Sequence, residues 1–242
     1  MRLFAKWPLT VFTLELRKLF SYRVDFWMHF LGSVAAQFGV AYFLWQAVFE
    51  YRGVQKIGPF SFKALMLYYI LAPLIGRLIQ GSTYMGSVSA EIYEGTLTRY
   101  LIYPVSFFRY KFATHLSHCV VYATQSLLVV VLFVFAVGIP AEFTISMASI
   151  LQAMVTICLA LYLAFLLATV LELIAFWADN VWSLVILTRF ATGLFGGGMI
   201  PLALFPTWAR EFLGYFPFAY FISFPVRTLL GMETTSDRKS VV

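Results

Sequence analysis

An all-α integral membrane protein is the fold class this sequence predicts, and three observations predict it. Residues 112–141 and 143–171 run for thirty and twenty-nine positions without an acidic or basic side chain, 62% of the 242 residues are apolar, and only 12% are charged. Soluble domains hold about 45–50% apolar and ~25% charged residues, so this is the composition of a chain solvated by lipid. A helix needs roughly twenty apolar residues to cross ~30 Å of hydrocarbon, where every backbone N–H and C=O must be paired within the segment. No polar stretch is long enough for a separate soluble domain, and residues 1–242 read as a single transmembrane domain.

Before the first long run, Leu9, Phe12, Leu16 and Phe20 recur at helical spacing, while Lys6, Thr10, Thr13, Arg17 and Ser21 form a second stripe. This pattern, with Pro8 near its start, predicts an amphipathic helix over 1–23 that rests in the headgroup plane. Five spans are expected, at 24–49, 64–85, 112–137, 147–171 and 181–200. With the N-terminus in the cytoplasm, Arg2, Lys6, Arg17, Lys18, Arg23, Arg99, Arg109 and Lys111 lie inside and only Arg52, Lys56 and Lys63 outside. Eight against three follows the positive-inside rule. After span 5, Gly193, Gly196, Gly197 and Gly198 lead into Pro201, Pro206, Pro217 and Pro225. A straight helix is not expected there, so 201–230 is predicted as a re-entrant or short sixth hydrophobic region on the outer side, and 231–242 as a polar tail. MRLFAKWPLT has no compact apolar stretch ahead of a cleavage site, and no cleaved signal peptide is expected.

Several chemistries are excluded by what the sequence lacks. There is no G-x-x-x-x-G-K-[ST], and the glycines at 196–198 are followed by Met-Ile-Pro, so ATP is not bound by a P-loop here. No serine stands in a G-x-S-x-G setting. His115, His118 and Cys119 are close enough to share a helix face, but no third metal ligand of matching depth accompanies them, and core or interfacial histidines are the preferred reading. Cys119 and Cys158 read as packed thiols. The net charge of +6 resides next to the spans, where it meets anionic lipid, which argues against a nucleic-acid partner. No cofactor is expected on the chain.

The segment between spans 2 and 3 carries more information. Over 89–106 it reads as short helix, glycine break, short helix and proline stop, with Gly95 and Pro104 as the punctuation. Glu91 and Glu94, three apart, share a face suited to basic residues of a partner, while Leu97, Leu101 and Ile102 would anchor the second helix on the bilayer or on neighbouring spans. A solvated loop with incidental charge accounts for the pattern equally well.

Four groups of residues, taken in order, carry a resemblance. They are Tyr22-Arg23-Val24-Asp25-Phe26 at the start of span 1, Glu94-Gly95-Thr96-Leu97 followed by Tyr103-Pro104-Val105-Ser106, Ala175-Phe176-Trp177 after span 4, and Gly198-Met199-Ile200-Pro201-Leu202 leading to Pro206 and Pro217-Phe218-Ala219-Tyr220. In order and spacing the chain resembles the permease subunits of bacterial type-2 ABC exporters, in the short form without a fused ATPase. The resemblance implies a dimer, with itself or with a second permease, in the cytoplasmic membrane, each copy docking a soluble subunit that hydrolyses ATP. It further implies that the N-terminal helix, with Arg17 and Lys18, and the span 2–3 segment, with Glu91, Glu94, Gly95, Thr96, Leu97, Arg99 and Pro104, contact that ATPase. Gly196, Gly197, Gly198, Pro201 and Pro206 would belong to outer re-entrant helices. Members of the family continue past a stretch similar to 225–231 into a sixth full span, whereas here the polar residues 232–242 follow.

Two arginines fall within predicted spans, Arg77 in span 2 and Arg189 in span 5, where insertion scales assign about 2.5–3.5 kcal/mol to each. Both are expected to face the bundle interior or a dimer seam, Arg77 beside Gln80, with Glu172 and Asp179 as candidate partners. An internal salt bridge and contact with substrate are the two roles in view. The functional expectation is thus a permease subunit that moves a substrate outward, driven by ATP hydrolysed elsewhere. Its rivals are a non-transporting assembly or anchor protein and, less favoured, a lipid-modifying enzyme using His115 or His118.

Overall fold

A computed structural model describes residues 7–21, 23–80, 87–102 and 105–232, with the side chains of 19–26 outside that description. The elements are α1 (Trp7–Ser21), α2 (Arg23–Arg52), a two-stranded hairpin of β1 (Lys56–Ile57) and β2 (Phe60–Ser61), α3 (Phe62–Gln80), α4 (Ser87–Tyr93), α5 (Arg99–Ile102), α6 (Phe107–Val137), α7 (Met147–Leu173), α8 (Trp182–Phe195), α9 (Thr207–Gly214), α10 (Phe218–Phe221) and α11 (Ser223–Leu229). Short 3-10 turns at Thr96–Thr98, Ile174–Phe176 and Leu202–Leu204 join neighbouring helices.

Among the described residues four helices are long and apolar enough to cross a membrane, falling in α2, α3, α6 and α7, the last with the 3-10 turn that follows it. At 1.5 Å per residue α6 and α7 reach about 46 and 40 Å, more than the hydrocarbon thickness. The fifth expected span is shorter than predicted, because α8 holds 14 residues, about 21 Å, and stops at Phe195 instead of continuing to Ile200.

Helix α3 is the centre of the bundle. Ala64, Leu65, Leu67, Tyr68, Leu71, Ala72, Leu74 and Ile79 are all buried, and α2, α6, α7 and α11 pack around it. Small residues let these neighbours approach closely: a Cβ at Gly76 would stand 3.2 Å from Ile222 Cδ1. The faces turned away carry apolar side chains in the open, Phe43 and Leu44 on α2, Leu127, Val131 and Phe135 on α6, and Leu151, Val155 and Leu159 on α7. An exposed belt of this kind has no place in water. Helix α7 begins with a reciprocal cap, in which the Ser149 N–H donates to Ser146 Oγ (3.1 Å) and the Ser146 N–H to Ser149 Oγ (2.9 Å).

Helix α1 packs along α6, with Trp7, Val11, Phe12 and Leu16 half-buried and Leu9 and Leu14 exposed. Leu9 points away from the covered face, which corrects the expected apolar stripe, and α6 gives the helix a protein neighbour. The i, i+4 repeat of Val11–Glu15 and Phe12–Leu16 aligns the covered face.

The region after α8 leaves and returns at one end of the bundle. Leu204 lies against Gly58 of the hairpin, Ile222 lies about three-quarters of the way along α3 beside Gly76, and Gly231 packs against the Thr144 carbonyl in the α6–α7 turn. Residues 201–230 therefore dip into the bundle and come back toward the same end. The tail beyond Met232, like Pro104 and residues 81–86, lies outside the described residues.

Candidate functional site at the α4 end of the bundle

The connection between α3 and α6 is fastened to the end of α7. Glu172, 1% exposed in the last turn of α7, accepts from the backbone N–H of Val88 (2.6 Å) and of Ser89 (2.9 Å) with the same carboxylate oxygen. These are donors of the first turn of α4, which has no intrahelical acceptor for them. A carboxylate there satisfies both groups and complements the positive end of the helix.

A second fastening lies one and a half turns along. The Tyr93 hydroxyl donates to the Ala178 carbonyl (3.0 Å) and accepts from the Val181 N–H (3.0 Å), bridging the turn between α7 and α8. Val88 also packs with Phe165 and Ala168 of α7. Helix α4 is thus held at both ends to residues 165–181.

Beyond α4 the chain folds back through Gly95, whose φ of +69° is a left-handed conformation that L side chains rarely adopt. No atom lies within 4 Å of where its Cβ would be, so backbone geometry alone selects glycine there. Thr96 and Thr98 brace the turn by donating to the carbonyls of Glu91 (3.5 Å) and Gly95 (3.0 Å).

Glu91 was expected to face a partner but is occupied within the chain. Its carboxylate pairs with Arg99, accepts from the Tyr100 hydroxyl (3.2 Å), and meets Lys111 Nζ at 2.8 Å. Lys111 is buried at the start of α6, with Tyr100 and Phe107 rings beneath its ammonium. Burial pushes the Tyr100 phenol up to about 12, so it stays a neutral donor at physiological pH. The reason for the correction is geometric: the turn at Gly95 brings Arg99 over the face of α4 that carries Glu91. Glu94 is exposed.

Leu97 is half-buried, whereas Leu101 and Ile102 are 87% and 82% exposed, so α5 does not anchor on neighbouring spans. Arg17 and Lys18 are exposed on α1, with Lys18 3.9 Å from Glu15. Between α4 and the α7–α8 turn a cleft of about 370 Å³ opens, with Ser89 and Tyr93 on one wall and Asp179, Asn180 and Trp182 on the other.

Arg77 meets groups other than the carboxylates expected for it. Arg77 lies on α3, where Nη2 donates to Ser33 Oγ (2.5 Å) and the guanidinium stands 5.6 Å from the Phe30 ring centroid. Gln80, half-buried, is the last described residue of that helix. Glu172 is spent on the backbone of α4, and Asp179 lines the cleft. Arg189 is exposed on the outside of α8 beside Phe190, which removes the interior placement. His115 is buried with its ring against Phe165 and Nε2 3.6 Å from Cys119 Sγ. Among the described residues no three His, Cys, Asp or Glu side chains converge as metal ligands.

At the hairpin end, two consecutive tyrosines of α3 fix the break after α8. Tyr68 donates to the Gly197 carbonyl (2.7 Å) and Tyr69 to the Met199 carbonyl (2.8 Å). Gly197 has φ +84°, and a Cβ on Gly196 would collide with the carbonyl oxygens of Thr192 and Phe218. At Gly198 the nearest atoms to a Cβ are the Gly193 carbonyl and Ile222 Cδ1, each at 3.2 Å. Pro201 and Pro206 precede the 3-10 turn and α9 respectively, where a missing N–H is harmless.

Sequence reasoning missed Tyr93, Lys111 and the two tyrosines of α3. Lys111 and Glu172 carried a signal, since each is the charged residue that bounds a long apolar run.

Residues 34–239 match the family model described as ABC-2 family transporter protein. Comparison with curated proteins gives no match, and comparison with solved structures gives none.

Proposed function

Because the chain belongs to the ABC-2 family of transporter proteins, we propose that this multi-pass membrane protein is the permease subunit of an exporter whose ATP is hydrolysed by a separate soluble protein. The α4 end lies in the cytoplasm of a bacterium, the hairpin end faces outward, and two permeases, identical or similar, enclose the pathway between them. The exposed face of α8 that carries Arg189 lies in the seam between the two copies, which spares a charge the cost of lipid.

The observation that carries this reading is the double fastening of α4 to the end of α7 through Glu172 and Tyr93. A segment that takes a push from an ATPase does mechanical work only if it cannot yield independently of the spans behind it. Here the short helix and the end of a long span form one body, so movement of α4 is movement of α7 and, through the core, of α3. Glu94 at the exposed tip and Gly95 at the turn stand where that push arrives, with Thr96, Leu97 and Arg99 setting the shape of the turn. Arg17 and Lys18 extend the docking surface from α1. The re-entrant region closes the outward end until the spans move.

Reconstitution of the chain with its ATPase subunit in proteoliposomes tests the proposal. ATP turnover by the ATPase is expected to change when the chain is present, and Glu94→Ala or Gly95→Val to abolish that change without loss of expression. Hydrolysis indifferent to the chain would place it instead among anchor or assembly proteins.

A further inference from the structure

We infer that the cleft between α4 and the α7–α8 turn is a socket for one cationic side chain, an arginine or lysine, presented by the ATPase subunit. This deepens the proposed function and rests on its premise that an ATPase docks at this end. The cleft, about 370 Å³, has a wall from each of the two elements that Tyr93 ties together. Its far wall carries the Asp179 carboxylate, and among the described residues no cation pairs with it. The adjoining Trp182 is 58% exposed and supplies a π face, so a carboxylate and an indole line the same space.

Asn180 Oδ1 accepts from the Trp182 N–H (2.8 Å), which fixes the turn that presents both groups. Charge selects the occupant. Anionic headgroups at the membrane surface are repelled by Asp179, whereas a guanidinium gains the carboxylate and the ring together. A cation seated there touches α4 and the α7–α8 turn at once, so the ATPase grips the fastened body at its joint.

The test uses the chain in complex with the ATPase whose turnover it alters. A photoreactive benzoylphenylalanine is placed in the chain at position 101, exposed on α5, in one preparation and at position 90, on the α4 wall of the cleft, in another, and adducts are mapped by mass spectrometry. The inference expects both preparations to label the ATPase, the one from position 90 at a surface carrying an arginine or lysine. Asp179→Lys should weaken the complex at least about tenfold, the effect of opposing a close charge pair, and Asp179→Glu should keep it. An acidic substitution of the labelled cation on the ATPase should restore binding to Asp179→Lys. Labelling of the ATPase from 101 but only of lipid or a second copy from 90 overturns the socket and leaves the docking reading intact. Unchanged affinity of Asp179→Lys does the same. Labelling from neither position defeats both.

Discussion

Glu172 and Val88, 84 positions apart in the chain, are joined by a 2.6 Å hydrogen bond from the Val88 N–H to the buried carboxylate, so a membrane-length helix ends on the first turn of a surface helix. A carboxylate this buried is stable only with its charge met, and here backbone donors meet it. The arrangement makes the junction a rigid corner.

Removing that corner has a graded effect. Glu172→Ala leaves the Val88 and Ser89 donors without an acceptor, a loss of about 1–3 kcal/mol for each group left unpaired and buried. Glu172→Gln keeps one acceptor oxygen. The unfolding temperature in detergent should therefore fall in the order wild type, Gln, Ala, and the effect of the chain on ATPase turnover should decline in the same order.

At Gly95 the penalty is conformational. An L residue held at φ +69° costs roughly 1–2 kcal/mol, while open space around the Cβ position adds no clash. Gly95→Asn, which tolerates the left-handed region, should retain more coupling than Gly95→Val, as read by stimulated ATP turnover at equal expression.

Lys111 and Glu91 form a nearly buried pair at 2.8 Å. Lys111→Met leaves Glu91 with Arg99 and the Tyr100 hydroxyl, a loss of about 3 kcal/mol, at the low end for a broken buried pair because one cation remains. Adding Glu91→Gln to Lys111→Met should recover part of it, and a double-mutant cycle on unfolding free energy measures the share.

The glycine break after α8 predicts unequal tolerance. Gly196→Ala must displace backbone carbonyls of Thr192 and Phe218 and should fail to accumulate as folded protein. Gly32→Ala in α2, with nothing within 4 Å of the added Cβ, should behave as wild type, with detergent gel filtration as the readout.

A pH effect is expected at the hairpin end. The backbone amide of Glu142, then the Ser61 hydroxyl and Lys56, hold the Glu142 carboxyl below its ordinary range. Because the folded value is depressed, the stabilisation is present above the unfolded value, about 4.3, and is lost as pH falls through the folded value. Protection of the hairpin amides, taken as exchange relative to the intrinsic rate at each pH, should fall below about pH 4 in wild type, and Glu142→Gln should remove that dependence.

The long spans were legible because nothing competes with an uncharged apolar run: α6 ends at Val137 and α7 begins at Met147, where sequence placed them. The fifth was overestimated because its end is set by the close approach of Phe218 to Gly196, a contact 22 positions away that no local pattern carries. Sequence pairs charge with charge, yet Glu172 takes backbone donors and Arg77 takes Ser33 and Phe30. Gly95 was legible as a break, but its consequence, Arg99 folded over Glu91, is a matter of chain direction after the turn.

Hydrogen exchange at the amides of Val88 and Ser89, followed in the complex with the ATPase in lipid nanodiscs, tests the coupling most directly. If α4 and the end of α7 move as one body, both amides stay protected in the nucleotide-free and the ATP-trapped states. Loss of protection at either amide on ATP binding would mean that the corner opens during the cycle, and would contradict transmission of the push through a rigid junction.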